Sequence, residues 1–149
     1  GEHSVLVGLT KRLGRDRTPE EKTERVLLKI AERLLAGEIA ARRGKYDDAI
    51  KLLKDAVLLE DGLPYAEPPF WPIPIRHYLG AVLLKAGQPD KAEAVYRADL
   101  TKNPRNGWAQ FGLMQSLRAQ RKGREADAAE EQWKQVWEHA DVTLTASRF

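Results

Sequence analysis

Residues 76–104 read RHYLGAVLLKAGQPDKAEAVYRADLTKNP, and this stretch carries the clearest signal for the fold. Gly87-Gln88-Pro89 divides it into two segments, because glycine and proline together mark turns. Asn103-Pro104 ends the second segment, since the residue before a proline is biased away from the helical conformation. The stretch therefore predicts two helices, at residues 73–86 and 89–102, that are joined by a tight turn.

A glycine followed by an alanine and then by a large side chain recurs three times along the chain. We expect each glycine to let the second helix of a pair approach the first, and the large side chain to fill the space beyond. The glycines are separated by 80 − 37 = 43 and 112 − 80 = 32 residues. The three sets are Gly37, Ala49 and Leu53; Gly80, Ala92 and Tyr96; and Gly112, Ala129 and Trp133.

The first helix has the strongest start signal. Thr18-Pro19-Glu20-Glu21 combines a capping hydroxyl, a proline at the first helical position and a glutamate three residues after the cap, which is a capping box. Gly44 ends this helix, and Asp47 and Asp48 mark the start of the next one. Residues 61–72 contain four of the eight prolines, which is too many for a helix, and they predict a long connection.

These signals together predict the organisation of the whole chain. An N-terminal arm, three helix pairs, a proline-rich connection and a C-terminal tail follow one another, and the tail is expected to be extended or frayed because it lacks a helical stripe. The arm covers residues 1–17, the pairs 18–60, 73–104 and 105–140, the connection 61–72 and the tail 141–149.

The motif of Gly80, Ala92, Tyr96 and Pro104 resembles the tetratricopeptide repeat. That resemblance implies an all-α solenoid of about three antiparallel helix pairs, with a period of roughly 34 residues. The third copy departs from it, because Lys122-Gly123-Arg124 lengthens the predicted turn by about five residues. Beyond the repeats, the chain resembles the C-terminal end of longer bacterial tetratricopeptide proteins, which implies a terminal fragment from a bacterial cytoplasm or periplasm.

The same resemblance implies a function in holding a protein or peptide partner. Such folds bind extended peptides on the concave face that the first helix of each pair forms. A carboxylate clamp, which some family members use, is absent because Leu34, Glu38 and Tyr78 stand at positions that would require basic or amide side chains. The implied groove comprises Leu34, Glu38, Arg42, His77, Ala81, Lys85, Asn106, Gln110 and Leu113.

A homodimer through the N-terminal region is a further expectation. The first helix has a wide apolar face, and the apolar residues from Val5 to Leu9 lie just upstream of it. Either the arm folds back as a cover or the face pairs with a second copy, for which a two-fold dimer is the simplest closed arrangement. The apolar face consists of Val26, Leu27, Ile30, Leu34 and Leu35.

A basic edge suggests an alternative function. Cations cluster at the ends of the first helices, and stacked repeats would bring those ends together, so nucleic acid or another anionic surface could bind there. Relief of the helix dipole explains the same cations without a ligand. The edge comprises Arg42, Arg43, Lys45, Lys85, Arg118, Arg121, Lys122 and Arg124.

Two aromatic residues in the connection, Phe70 and Trp71, either pin it onto the helices or offer an aromatic patch to a partner.

Composition and motif searches predict no enzyme and no cofactor. The chain has no cysteine, which excludes thiolate metal sites and cysteine nucleophiles. Its three histidines, His3, His77 and His139, have no metal-ligand spacing, so no metal site is predicted. No apolar run has the length of a membrane span. The net charge of +3 neither requires nor excludes an anionic partner.

Overall fold

The computed structural model describes Ser4 and residues 18–140 and 142–148. Six helices and no strand occur from residue 18 onward in this part of the chain, which confirms the predicted all-α class. Most of the predicted arm lies outside the described residues. The helices are α1 (Pro19–Arg42), α2 (Tyr46–Asp61), α3 (Ile75–Lys85), α4 (Pro89–Lys102), α5 (Gly107–Ala119) and α6 (Gly123–Trp137).

The predicted capping box at the start of α1 is confirmed. The Thr18 hydroxyl accepts a hydrogen bond from the Glu21 N–H at 3.2 Å, and the Glu21 carboxylate accepts one from the Thr18 N–H at 3.0 Å. Pro19 occupies the first helical position, where its missing N–H costs nothing. The long helix therefore begins where local chemistry satisfies its free N–H groups.

Three helix pairs share one type of turn. In each turn, three residues separate the helices, and the middle residue has a positive φ: Gly44 (73°), Gly87 (70°) and Arg121 (60°). The N–H of the next residue bonds back to a carbonyl five positions earlier, as from Lys122 to Leu117 at 3.0 Å. This pattern is the Schellman arrangement, in which a left-handed residue closes a helix. The equivalent bonds run from Lys45 to Ala40 and from Gln88 to Leu83, both at 2.9 Å.

The predicted lengthening of the third turn is wrong. Residues 120–122 form it, so it has the same length as the other two. The two later turns are 121 − 87 = 34 residues apart, and the two earlier ones 87 − 44 = 43. When the helix pairs are aligned by their turns, Met114, and not Gly112, lies at the position that corresponds to Gly80. The error arose because Arg121 adopts a conformation for which glycine is the usual sequence signal.

The chain divides into two compact units, residues 1–75 and 76–149. In unit 1, α1 packs against α2. Gly37 provides the close approach, because a Cβ built on it would stand 2.9 Å from Cγ of Leu53. The completely buried residues of this contact are apolar: Ile30, Ala49, Leu53 and Ala56. The proline-rich connection that follows α2 has no helix between residues 62 and 74.

In unit 2 the ring of Tyr96, on α4, lies where a Cβ would stand on Gly80 of α3 and also on Gly112 of α5. Both glycines therefore lie at tight contacts, as predicted. The ring nearest to Gly112 is that of Tyr96, however, and not that of the predicted Trp133. Trp133 packs instead against Phe111, with ring centroids 5.4 Å apart, and Trp137 stacks on it at 6.3 Å.

Gly80→Ala should destabilise the protein, because the new Cβ would overlap the phenol ring. Tyr96 is completely buried and cannot move aside without losing its other contacts. We expect a loss of about 1 to 3 kcal/mol in the free energy of unfolding, measured by urea denaturation. Gly123→Ala is the control, since nothing lies within 4 Å of its added Cβ. Equal effects of the two substitutions would contradict the close contact.

Arg121→Gly should stabilise the protein by about 1 kcal/mol, because a left-handed backbone strains every residue that has a Cβ. Gly44→Ala introduces a Cβ at the equivalent left-handed position of the first pair. It should lower the free energy of unfolding by about the same amount. Urea denaturation of both variants tests this. Changes of the same sign would show that the two turns are not equivalent.

Candidate functional site

The predicted groove residues differ in their exposure. On α1, Leu34 and Glu38 are partly exposed and Arg42 is exposed. In unit 2, Lys85 is exposed and Asn106 is partly exposed. The other four predicted groove residues, which also belong to unit 2, are buried: His77, Ala81, Gln110 and Leu113.

A buried polar cluster joins α3, α4 and the start of α5. The Asn106 amide nitrogen lies 2.6 Å from Nε2 of His77 and donates to the Asp99 carboxylate at 2.8 Å. Nε2 of His77 is 3.5 Å from the same carboxylate. The Asn103 amide donates to its other oxygen at 3.2 Å. Asp99 and His77 are nearly inaccessible, so these bonds compensate for removing the carboxylate from water.

The helix cap determines how this cluster is bonded. Oδ1 of Asn106 accepts from the N–H groups of Trp108 and Ala109 at 3.2 and 3.4 Å, as an N-cap residue does. Its amide nitrogen must therefore face His77 and Asp99, and it has one hydrogen for each. In this arrangement Nε2 of His77 is the acceptor of the Asn106 amide hydrogen.

The C-terminal tail lies on unit 2 and is not frayed. Residues 142–148 form no helix, as predicted, yet Leu144 and Ser147 are buried. The Trp137 indole donates to the Val142 carbonyl at 2.8 Å. The Gln115 amide donates to the Thr145 carbonyl at 3.2 Å. Side chains of α5 and α6 thus hold a non-helical segment, which bends at residues 145–147, by its main chain.

Ser147 makes the most buried contact of the tail. Its hydroxyl donates to the main-chain carbonyl of His77 at 2.8 Å and lies 2.5 Å from the Tyr96 hydroxyl. Because the Ser147 proton goes to His77, the Tyr96 phenol donates to Ser147. Burial raises the pKa of Tyr96 well above its ordinary value, which keeps the phenol protonated as this bond requires. The His77 ring takes no part in the contact.

Sequence reasoning did not place Ser147 in the site. The alternation of apolar and polar residues in the tail indicated an extended conformation, and that was the available signal. A lone serine near a terminus carries no sequence signal for burial. Its partners, a tyrosine 51 residues away and a carbonyl 70 residues away, come together only through the fold.

Two cations of the predicted basic edge are ion-paired within unit 2. Arg118 pairs with Glu130, and Nζ of Lys122 lies 2.8 Å from the Glu93 carboxylate. The Lys122 ammonium, with further hydrogen bonds from Gln120 and Arg97, lowers the pKa of Glu93 from 4.5 to about 2. The other six cations are exposed: Arg42, Arg43, Lys45, Lys85, Arg121 and Arg124.

A shallow pocket of about 540 Å³ lies between α1 and α2 in unit 1, apart from the predicted partner groove. Arg43 and Lys45 of the predicted edge line it, together with Arg33 and Lys51. Carboxylates also face it, and Arg33 lies 3.9 Å from Asp55. The lining therefore carries charges of both signs, with four cations and two carboxylates.

The predicted aromatic patch is partly open to solvent. Phe70 is 43% exposed, whereas Trp71 is less exposed. Tyr65, in the same connection, is 89% exposed, and its hydroxyl donates to the Glu67 carboxylate at 2.5 Å. That hydrogen bond raises the pKa of Tyr65. The connection thus presents two exposed aromatic rings, one of which sequence reasoning did not select.

Within residues 18–140 and 142–148, no group of three or more histidine, aspartate or glutamate side chains is placed to hold a metal ion. His139 is exposed, and His3 lies outside the described residues. No helix in the described part of the chain is long and apolar enough to cross a membrane.

Comparison with known proteins identifies no relative. No family model matches the chain, and neither a curated protein nor a solved structure is significantly similar to it.

Glu93→Gln should remove a pH-dependent part of the stability. The folded-state pKa of about 2 lies below the ordinary 4.5, so the contribution is fully present above about pH 4.5 and is lost as the pH falls toward 2. We expect the variant to be less stable by about 2 kcal/mol near neutral pH, and the difference to vanish near pH 2. Urea denaturation across this range measures it.

The matched control is Glu125→Gln, because the Glu125 side chain is 56% exposed and lies 3.4 Å from Arg97. An exposed ion pair contributes little, so this variant should follow the wild type at every pH. If the two variants show the same pH dependence, the Lys122–Glu93 pair does not stabilise unit 2.

Proposed function

We propose that this chain is a tetratricopeptide-like scaffold whose antiparallel helix pairs hold a protein or peptide partner. The repeated turn supports this proposal, since its later copies lie 34 residues apart, which is the period of that repeat. In each pair, the residue five positions after the left-handed one is a completely buried alanine, and these are Ala49, Ala92 and Ala126. Each pair thus repeats a turn and a packing position.

The observation that carries the proposed function is the tail on unit 2. A non-helical segment contacts the second helices through Tyr96 on α4 and Trp137 on α6. It also contacts the first helices of two successive pairs, through His77 on α3 and Gln115 on α5. Tetratricopeptide-like folds would present a partner peptide to these same helices. The surface therefore has donors, an acceptor and an apolar contact for a non-helical peptide chain.

Binding of nucleic acid along the basic edge is the weaker candidate. Arg118 and Lys122 are already neutralised by carboxylates of unit 2. The homodimer through the N-terminal region remains a prediction. Leu27, Leu34 and Leu35 on α1 are partly exposed, whereas Ile30 is completely buried.

Photocrosslinking in the source cells tests the scaffold function. A photoreactive amino acid replaces Leu34 or Lys85 on first helices, or the exposed Lys54 or Ala128 on second helices as controls. We expect one recurrent protein at the first-helix positions and none at the controls. The purified partner should then bind the wild-type chain, and Lys85→Glu should weaken that binding by roughly tenfold, the equivalent of 1.4 kcal/mol.

Equal labelling at all four positions, or no labelling at any of them, would contradict a partner held by the first helices. A purified partner that binds the wild type and Lys85→Glu equally would also place its contact elsewhere.

A further inference from the structure

We propose that the α3–α5 face of unit 2 is a groove for a non-helical peptide in which an apolar residue precedes a serine by three positions. The tail of this chain, with Leu144 and Ser147, is an internal copy of that ligand. The inference rests on the proposed scaffold function and names the chemistry of its partner.

The groove binds the main chain of its occupant without regard to sequence. The Trp137 indole N–H and the Gln115 amide donate to the Val142 and Thr145 carbonyls. Any peptide that adopts the same bend presents carbonyls at such positions, so these donors can hold another chain equally well. Main-chain hydrogen bonds of this kind supply affinity that does not depend on the side chains of the peptide.

Selectivity comes from the position that Ser147 occupies. The hydroxyl there must donate to the His77 carbonyl and accept from the Tyr96 phenol. Alanine would leave the buried Tyr96 hydroxyl without this partner, and a carboxylate would face the His77 carbonyl without a proton to donate. Ser147 is only 1% exposed, so the position has no open side for a large residue. Leu144 occupies the accompanying apolar position.

The walls of this groove are held in place by contacts that do not involve the tail. Tyr96 is packed between the glycines of α3 and α5, which sets the position of its hydroxyl. Asn106 bonds both the His77 ring and the start of α5, which holds α3 at the other wall. Groups that need not reorganise bind a ligand at a lower entropic cost.

Part of the tail remains open to solvent. Of residues 142–148, Leu144 and Ser147 are buried, whereas Val142, Thr143 and Thr145 are exposed. The tail also has the advantage of covalent attachment, which gives a short linked segment an effective concentration in the millimolar range. A free peptide must compete with that concentration.

A fluorescent peptide of residues 140–149 tests the proposal by anisotropy titration against the full chain. In Ser147→Glu the groove residues are unchanged, but the tail carries a charge that this position cannot take. We expect this variant to bind the peptide at least roughly tenfold more tightly than the wild type, whose own tail competes. Peptide carrying S147A should bind the variant at least roughly tenfold more weakly.

Thr145→Glu in the full chain is the matched control. It adds the same charge two residues away, where the side chain is exposed, and should bind the peptide as weakly as the wild type. If Thr145→Glu and Ser147→Glu bind equally, the charge and not the release of the groove explains the result, and the proposal is overturned.

Circular dichroism must show that Ser147→Glu keeps its helices. If it does and the peptide fails to bind, the α3–α5 face is not a peptide groove. If the variant unfolds, hydrogen exchange of the wild-type chain decides instead. Millimolar peptide should accelerate exchange in residues 142–148 by displacing the tail, and unchanged exchange would overturn the proposal.

These outcomes are separate from those of photocrosslinking. Peptide binding without a crosslinked protein would leave the groove in place and reject the scaffold function. A crosslinked protein that does not compete with the peptide would support the scaffold and reject this groove.

Discussion

The packing of one tyrosine ring between two glycines is the contact on which unit 2 depends. Tyr96 belongs to α4, and its ring occupies the space that a side chain on Gly80 or Gly112 would need. Three helices therefore meet at one aromatic residue, and close packing allows little displacement there. The hydroxyl of the same ring extends to Ser147 in the tail. The core of the helix pairs and the candidate binding surface consequently share a residue.

The polar cluster next to it shows how local helix chemistry extends into the site. Asn106 is first of all the N-cap of α5, and this role fixes which way its amide points. The amide nitrogen then satisfies both Asp99 and the His77 ring. A buried carboxylate is tolerated only with such partners, since an unpaired charge in this position would be strongly destabilising. One capping residue thus supports α3, α4 and α5 together.

Much of the fold could be predicted because its signals are local. The Thr18 capping box, the turns at Gly44 and Gly87, and the proline-rich connection each follow from a few adjacent residues. The third turn was misplaced because Arg121 takes the left-handed conformation without being a glycine. Gly112 then took the place of Met114 in the predicted repeat. Gly112 does lie at a tight contact, but with the preceding pair, which no spacing within its own pair could indicate.

The sequence by itself determined the helices, their order and the first two of the three turns within the pairs, because hydrogen bonds and backbone preferences within a few residues decide these features. It also indicated that the tail is not helical. Only the tertiary structure decided that Leu144 and Ser147 are buried and that His77 offers its carbonyl rather than its ring to the tail. These contacts join residues 51 and 70 positions apart, and their energy exists only after the helices have packed.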